Sequence, residues 1–305
     1  MSISGLKTGL QNGLNNGTKT GFAMSNIRSG LIGGLWRVTP NRDKMLNPVN
    51  LRGTKKPLIY GLADYYTVTG GNTTVLDDLA NTGNNWVSNA SIANRPIPNA
   101  NLFNNRTILN YDGSSSVMEN QSSLGISSGE YTIMTMIKLN GTPGLAVIDT
   151  NAITAGGILV STPSSAASAC QIRSRFYSST SVSTTYSSDV GPTNSSSVAN
   201  TPAEFQGYML LTCKFRLNQP SGAGSEQEMF INGRLHKILV GTDSFVSSNG
   251  TFTIPTIGIG NNPTAQNSLA QNFQLGMALV LPYWVQYAEQ VKIENYFRWY
   301  YSYSF

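Results

Sequence analysis

Charge is scarce in this chain. Lys, Arg, Asp and Glu together make up 11% of the 305 residues, and the basic excess is a modest +5. Lys55-Lys56 is the one adjacent basic pair, and there is no run of five or more. A nucleic-acid surface needs clustered Lys and Arg to displace counterions, so specific DNA or RNA recognition is not expected. Histidine is rarer still. His236 stands alone, so any Ser-His-Asp or Cys-His arrangement would depend on it, and a solvent-facing strand position is the reading of it. No nucleophile elbow, phosphate-binding loop or zinc-ligand spacing occurs. Two cysteines, Cys170 and Cys213, make neither a disulfide framework nor a metal site, so both read as buried thiols. No window is apolar enough for long enough to span a bilayer. The start, Met1 to Lys7, lacks the unbroken apolar stretch of a secretory signal, which predicts a soluble product made in a cytoplasm.

What is present is Ser, Thr, Asn and Gly, with hydrophobic residues at a two-residue period. Between Arg106 and Leu139, Ile108, Asn110 and Asp112 alternate with Leu109, Tyr111 and Gly113. Tyr131, Ile133, Thr135, Ile137 and Leu139 then share a second face. That is the period of a half-buried β-sheet. Asn232-Gly233, between Glu228–Ile231 and Arg234–Leu239, predicts a two-residue hairpin because both central residues accept positive φ. Further strands are expected at 58–66, 73–76, 156–160, 207–217, 252–259 and 273–281. Cys213 shares a face with Met209, Leu211, Phe215 and Leu217. The Ser- and Thr-rich segment 161–200 reads as paired strands rather than a disordered insert. Residues 77–104, with Pro96 and Pro98, read as long loops. From Ala288 the period changes: Val291, Ile293, Tyr296, Phe297 and Tyr300 recur at three and four, which predicts a short amphipathic helix with Phe297 and Tyr300 packed inward.

Several of these residues carry a family resemblance. Arg95-Pro96, Asn110-Tyr111-Asp112-Gly113, Ser114-Ser115-Ser116, Tyr131-Thr132-Ile133, Leu79 to Asn84 and the closing Ile293 to Phe297 resemble the concanavalin A-like, laminin-G-like β-sandwiches, over roughly residues 60 to 300. The resemblance implies an all-β fold, an antiparallel jelly-roll sandwich. Some members of that family are glycosidases, which bring two carboxylates into one cleft. Here the close acidic pairs are Asp77-Asp78, on opposite strand faces, and Glu226 with Glu228, on one face at a loop edge. Neither makes the family's glucanase motif, and no enzyme is expected. Others hold calcium; Asp77, Asp78, Asn84 and Asp112 are hard oxygen donors, yet Asp112 in Asp-Gly fits the turn itself, and neither a metal nor a cofactor is expected. Glycan contact needs exposed aromatics beside amides; Trp86, Tyr177 and Tyr186 are loop or edge candidates, with ordinary packing as the other reading of each.

Ahead of this domain lies a different texture. Gly5, Gly9, Gly13, Gly17 and Gly21 form a four-residue repeat interleaved with Leu6, Leu10, Leu14 and Phe22. Five glycines oppose an isolated helix by roughly 4–5 kcal/mol relative to alanine, so the segment needs a surface to order upon. It is either a flexible tail or an arm that docks on a partner, continued by Leu31, Leu35 and Trp36. The chain thus divides into a Gly/Leu-rich arm and linker, 1–57, and a sandwich, 58–305. Together these features suggest a non-enzymatic structural protein of a bacteriophage virion, capsid decoration or fibre, that docks to other coat or fibre subunits through its arm, alone or as a homo-oligomer. The alternative is a carbohydrate-binding adhesin for host-surface glycans, and the third reading a polysaccharide hydrolase.

Overall fold

The computed structural model describes residues 44–88, 95–112, 116, 118–120, 130–139, 148–149, 157–161, 172–177, 185–190, 207–216, 226–240, 258–259 and 272–303. Two antiparallel sheets account for most of these residues. The first runs, edge to edge, β15 (Arg234–Val240), β14 (Glu226–Ile231), β13 (Met209–Arg216), β8 (Glu130–Leu139), β17 (Asn272–Leu281), β6 (Arg106–Asp112) and β5 (Ile97–Phe103). β1 (Ile59–Leu62) pairs with the second half of β17, beyond the end of its pairing with β6. The second sheet runs β12 (Thr185–Val190), β11 (Ile172–Tyr177), β10 (Gly157–Ser161), β9 (Ile148–Asp149), β16 (Gly258–Ile259), β7 (Met118–Asn120), β4 (Trp86–Val87), β3 (Asn72–Leu76) and β2 (Tyr66–Thr69). Among the described residues there is one α-helix, α1 (Tyr287–Tyr300), near the C-terminal end. The all-β expectation with a C-terminal helix is met.

The main core contains the alternate residues of the central strands. Tyr131, Ile133 and Ile137 of β8 join Met209, Leu211, Cys213 and Phe215 of β13, and Leu109, Tyr111, Phe273 and Leu275 from the neighbouring strands. The face containing Cys213 is therefore the one its spacing predicts, and Cys213 is a buried free thiol; Cys170 lies outside the described residues. Tyr111 and Phe273 stack across β6 and β17 with ring centroids 4.5 Å apart.

The central strands are not half-buried. Thr132, Met134 and Met136, on the opposite side of β8, are as inaccessible as their neighbours, because α1 lies across that outer face. Phe297 of α1 meets Tyr60 edge-on at 6.1 Å. Tyr301 donates its hydroxyl to the carbonyl of Gly276, a bulge in β17 where a side chain would collide with Met136. Thr212 Oγ1 donates to Glu294 of the helix at 3.0 Å. A strand buried on both faces loses the alternation that a half-buried one shows, and here the outer covering is distant in sequence.

The expected loops of 77–104 contain two strands. β4 supplies Trp86, and β5, which carries Pro98, is an edge strand with a broken register against β6, the kind of strand in which proline is tolerated. Its residues are mostly exposed, so no period-two signal marked it. The Asn232-Gly233 turn adopts φ values of +57° and +81°, as that pair predicts. Asn104-Asn105 does the same work between β5 and β6 at +50° and +62°. In the Ser- and Thr-rich stretch, β11 and β12 are paired in register.

The compact unit runs from Leu46 to Phe305. Residues 46–57 belong to it: Leu46 N–H donates to the Lys292 carbonyl at 3.0 Å, and Lys55 Nζ pairs with Glu289 of α1.

Candidate functional site

On β13 the residues between the core positions point the other way, and two of them are charged. Lys214 and Arg216 project from the outer face beside their direct cross-strand partners on β14, Glu228 and Glu226. Lys214 Nζ lies 3.0 Å from Glu228 Oε2 although its side chain is only 2% exposed. Its remaining sides are closed by aromatic rings, Phe230 at 4.6 Å and Trp284 at 5.4 Å. Arg216 bridges Glu130 of β8 at 2.9 Å and Glu226 at 3.3 Å, and its guanidinium lies 4.5 Å from the Trp284 ring.

These strands form the floor of a groove of about 440 Å³. Lys214, Glu228 and Phe230 lie at the bottom, and Gly233 and Leu235 form the wall on the hairpin side. Trp284, Gln286 and Tyr287, at the approach to α1, form the opposite wall. Trp284 is held inward, and its backbone N–H donates to Glu130 Oε2 at 3.3 Å. The exposed apolar surface is Tyr287, 59% exposed, and Leu235, 43% exposed. The groove thus offers an aromatic face, a carboxylate and an amide on rigid elements, the composition of a small-ligand site.

The wall is braced from behind. Arg298 of α1 donates to the Asn232 carbonyl of the turn at 3.0 Å, and lies 3.6 Å from Glu294 Oε2. Burial raises the Glu294 carboxyl above its usual range, against the lowering effects of hydrogen bonds from Gln290 and Thr212 and the charges of Arg298 and Lys214. A carboxyl with a raised folded pKa stabilises the fold fully below its unfolded pKa of about 4.3, and that contribution is lost as pH rises through the folded value. Glu294→Gln keeps both hydrogen-bond acceptor contacts without the charge. Its melting temperature relative to wild type is therefore expected to improve between pH 4 and pH 7; an offset that stays constant by differential scanning calorimetry would contradict this.

The residues singled out from sequence fare differently. Trp86 is not a surface aromatic: it is fully buried in the core, with Gly61 of β1 close against its ring, and cannot touch a glycan from there. Tyr177 and Tyr186 lie on the paired strands β11 and β12, but their side chains, and that of His236, lie outside the described residues. So do Leu6, Leu10, Leu14, Phe22, Leu31, Leu35 and Trp36. Glu226 and Glu228 do share a face, on a strand rather than at a loop edge, and each is held by a cation. Asp78 caps its own loop, accepting from the N–H groups of Tyr60, Ala80 and Thr82. Asp112 accepts from Ser116 N and Oγ, the turn role that Asp-Gly suggested. Among the described residues no cluster of three or more His, Cys, Asp or Glu is placed to hold a metal ion. No helix among them is long and apolar enough to cross a membrane.

Architecture defines the class first: a two-sheet, all-antiparallel β-sandwich with one sheet backed by a C-terminal helix. Solved structures of similar fold include the botulinum neurotoxin serotype D binding domain, at TM-score 0.50 and 10% identity over 79% of this chain and 50% of that one. The ligand-binding domain of the same serotype in complex with N-acetylneuraminic acid aligns at TM-score 0.50 and 9% identity with the same coverage. The chain therefore spans about half the length of these structures. No family model and no curated protein sequence matches it.

Proposed function

We propose that this chain is a non-enzymatic, carbohydrate-binding β-sandwich whose ligand enters the groove between the Asn232-Gly233 hairpin and the start of α1. The observation that carries this reading is the exposed Tyr287 ring standing over a polar floor of Glu228 and Lys214, with Gln286 at the rim. A pyranose ring presents an apolar C–H face to an aromatic and hydroxyls to carboxylates and amides, so both surfaces are answered in one place. A domain of similar fold whose structure holds a sugar, N-acetylneuraminic acid, supports the same general reading. The carboxylates Glu226 and Glu228, tied to Arg216 and Lys214, lack the paired-acid arrangement of glycoside hydrolysis. A glycan array with the full chain tests it: retention of a defined set of glycans is expected, and absence of binding at about millimolar ligand, where Kd corresponds to roughly 4 kcal/mol, would end the proposal.

The reading extends to display. The arm, with Leu6, Leu10, Leu14, Phe22, Leu31, Leu35 and Trp36, tethers the sandwich to coat or fibre subunits of a virus particle, and the groove faces the host surface. What supports it is the sequence: a glycine-spaced apolar segment that cannot hold a helix alone precedes a unit beginning at Leu46. Deleting residues 1–45 is expected to leave a folded, glycan-competent domain that no longer joins particles.

A further inference from the structure

Each described cation at the groove is already matched by a carboxylate. Lys214 is bound to Glu228, and the two flanking rings leave its ammonium no open side. Arg216 is shared by Glu130 and Glu226 and covered by Trp284. Arg298, behind the hairpin wall, lies beside Glu294, so no described cation is left over for an anionic ligand in the groove. Arg234 adds nothing to it: it is paired in register with Ile231, a core residue, and so lies on the opposite sheet face from Phe230 and Leu235. An anionic ligand entering here would have to displace a buried ion pair, which leaves a charge uncompensated, or sit beside the Glu228 carboxylate with its cation already engaged.

We propose that the groove selects an uncharged sugar residue, ring face on Tyr287 and hydroxyls donating to Glu228 and bonding Gln286, and excludes acidic sugars. This rests on the glycan-binding reading and narrows it. The Glu228 carboxylate is suited to the task, since one oxygen pairs with Lys214 while the side chain remains 18% exposed to a second partner. Hydroxyl groups are donors, and an ionised carboxylate is acceptor-only, so neutral sugars complement it where a sugar carboxylate repels it.

The test is titration of the full chain with methyl glycosides of mannose, galactose and glucose and, separately, with N-acetylneuraminic acid, followed by ligand-observed NMR and calorimetry. At least one neutral glycoside is expected to bind roughly tenfold or more tightly than the acid, with an affinity that about 0.5 M NaCl leaves unchanged. Tyr287→Ala, at an exposed position, is expected to weaken that glycoside roughly tenfold while Tyr65→Ala, which lines no part of the groove, does not. Preferential binding of the acid, weakened by salt, overturns the neutral-sugar assignment and leaves the glycan reading standing. No binding of either class overturns both, and an unchanged affinity in a folded Tyr287→Ala overturns the placement at this groove.

Discussion

Trp86→Ala is expected to lower stability by about 3–5 kcal/mol, the range for removing a large aromatic from a core that relaxes only partly. The indole is fully buried, and its ring lies so close to Gly61 that a Cβ there would sit 2.6 Å from Cζ3 and 2.8 Å from Leu76 Cδ2. Glycine at 61 is thus the mould of the tryptophan, and the two positions are coupled. Gly61→Ala should destabilise the wild type by about 1–3 kcal/mol through overpacking, and much less in the Trp86→Ala background, where the space has opened. The Trp86 Nε1 has no hydrogen-bond partner, so Trp86→Phe should be milder than Trp86→Ala. Urea unfolding of the four members of the cycle measures this. Additive losses, or a Trp86→Ala protein as stable as the parent, would contradict this packing.

That Trp86 stood open between packing and the surface has a physical cause. Trp86 belongs to a two-residue strand in a stretch rich in Asn, Thr and Ser, where no alternation is long enough to report which face it takes. The hairpin at Asn232-Gly233 was legible because the conformation depends on those two residues alone. The face of β13 was legible because Met209, Leu211, Cys213 and Phe215 alternate over a full strand. The second buried face was not: Leu210 and Thr212 are covered by a helix whose own apolar residues, Ile293 and Phe297, say that they need a surface but not which one. The groove is harder still, since its walls come from β13, the β14–β15 hairpin and the approach to α1. One trace of it was visible in Leu-Leu-Thr-Cys-Lys-Phe-Arg, where a lysine stands between the apolar Cys213 and Phe215. A buried lysine demands a buried partner, and Glu228 is that partner.

The same pair supplies the second large effect. Glu228→Leu strands the Lys214 ammonium at 2% exposure with only two aromatic faces for company, and is expected to destabilise the fold by about 3–5 kcal/mol. The reverse change is gentler. Lys214→Met fills the same volume between Phe230 and Trp284, and leaves behind a carboxylate whose side chain is 18% exposed and can recover water, so a loss nearer 1 kcal/mol is expected. Joining the two, Lys214→Met/Glu228→Leu should recover most of the stability lost in Glu228→Leu, because a buried ion pair replaced by packed apolar groups is often neutral. Chemical denaturation settles the order of the three variants. Equal losses in both single variants would mean that the charges are solvated and the groove floor is looser than its geometry. A stable double variant that no longer retains glycans would separate the two roles of the pair, since the fold tolerates its replacement and the ligand does not.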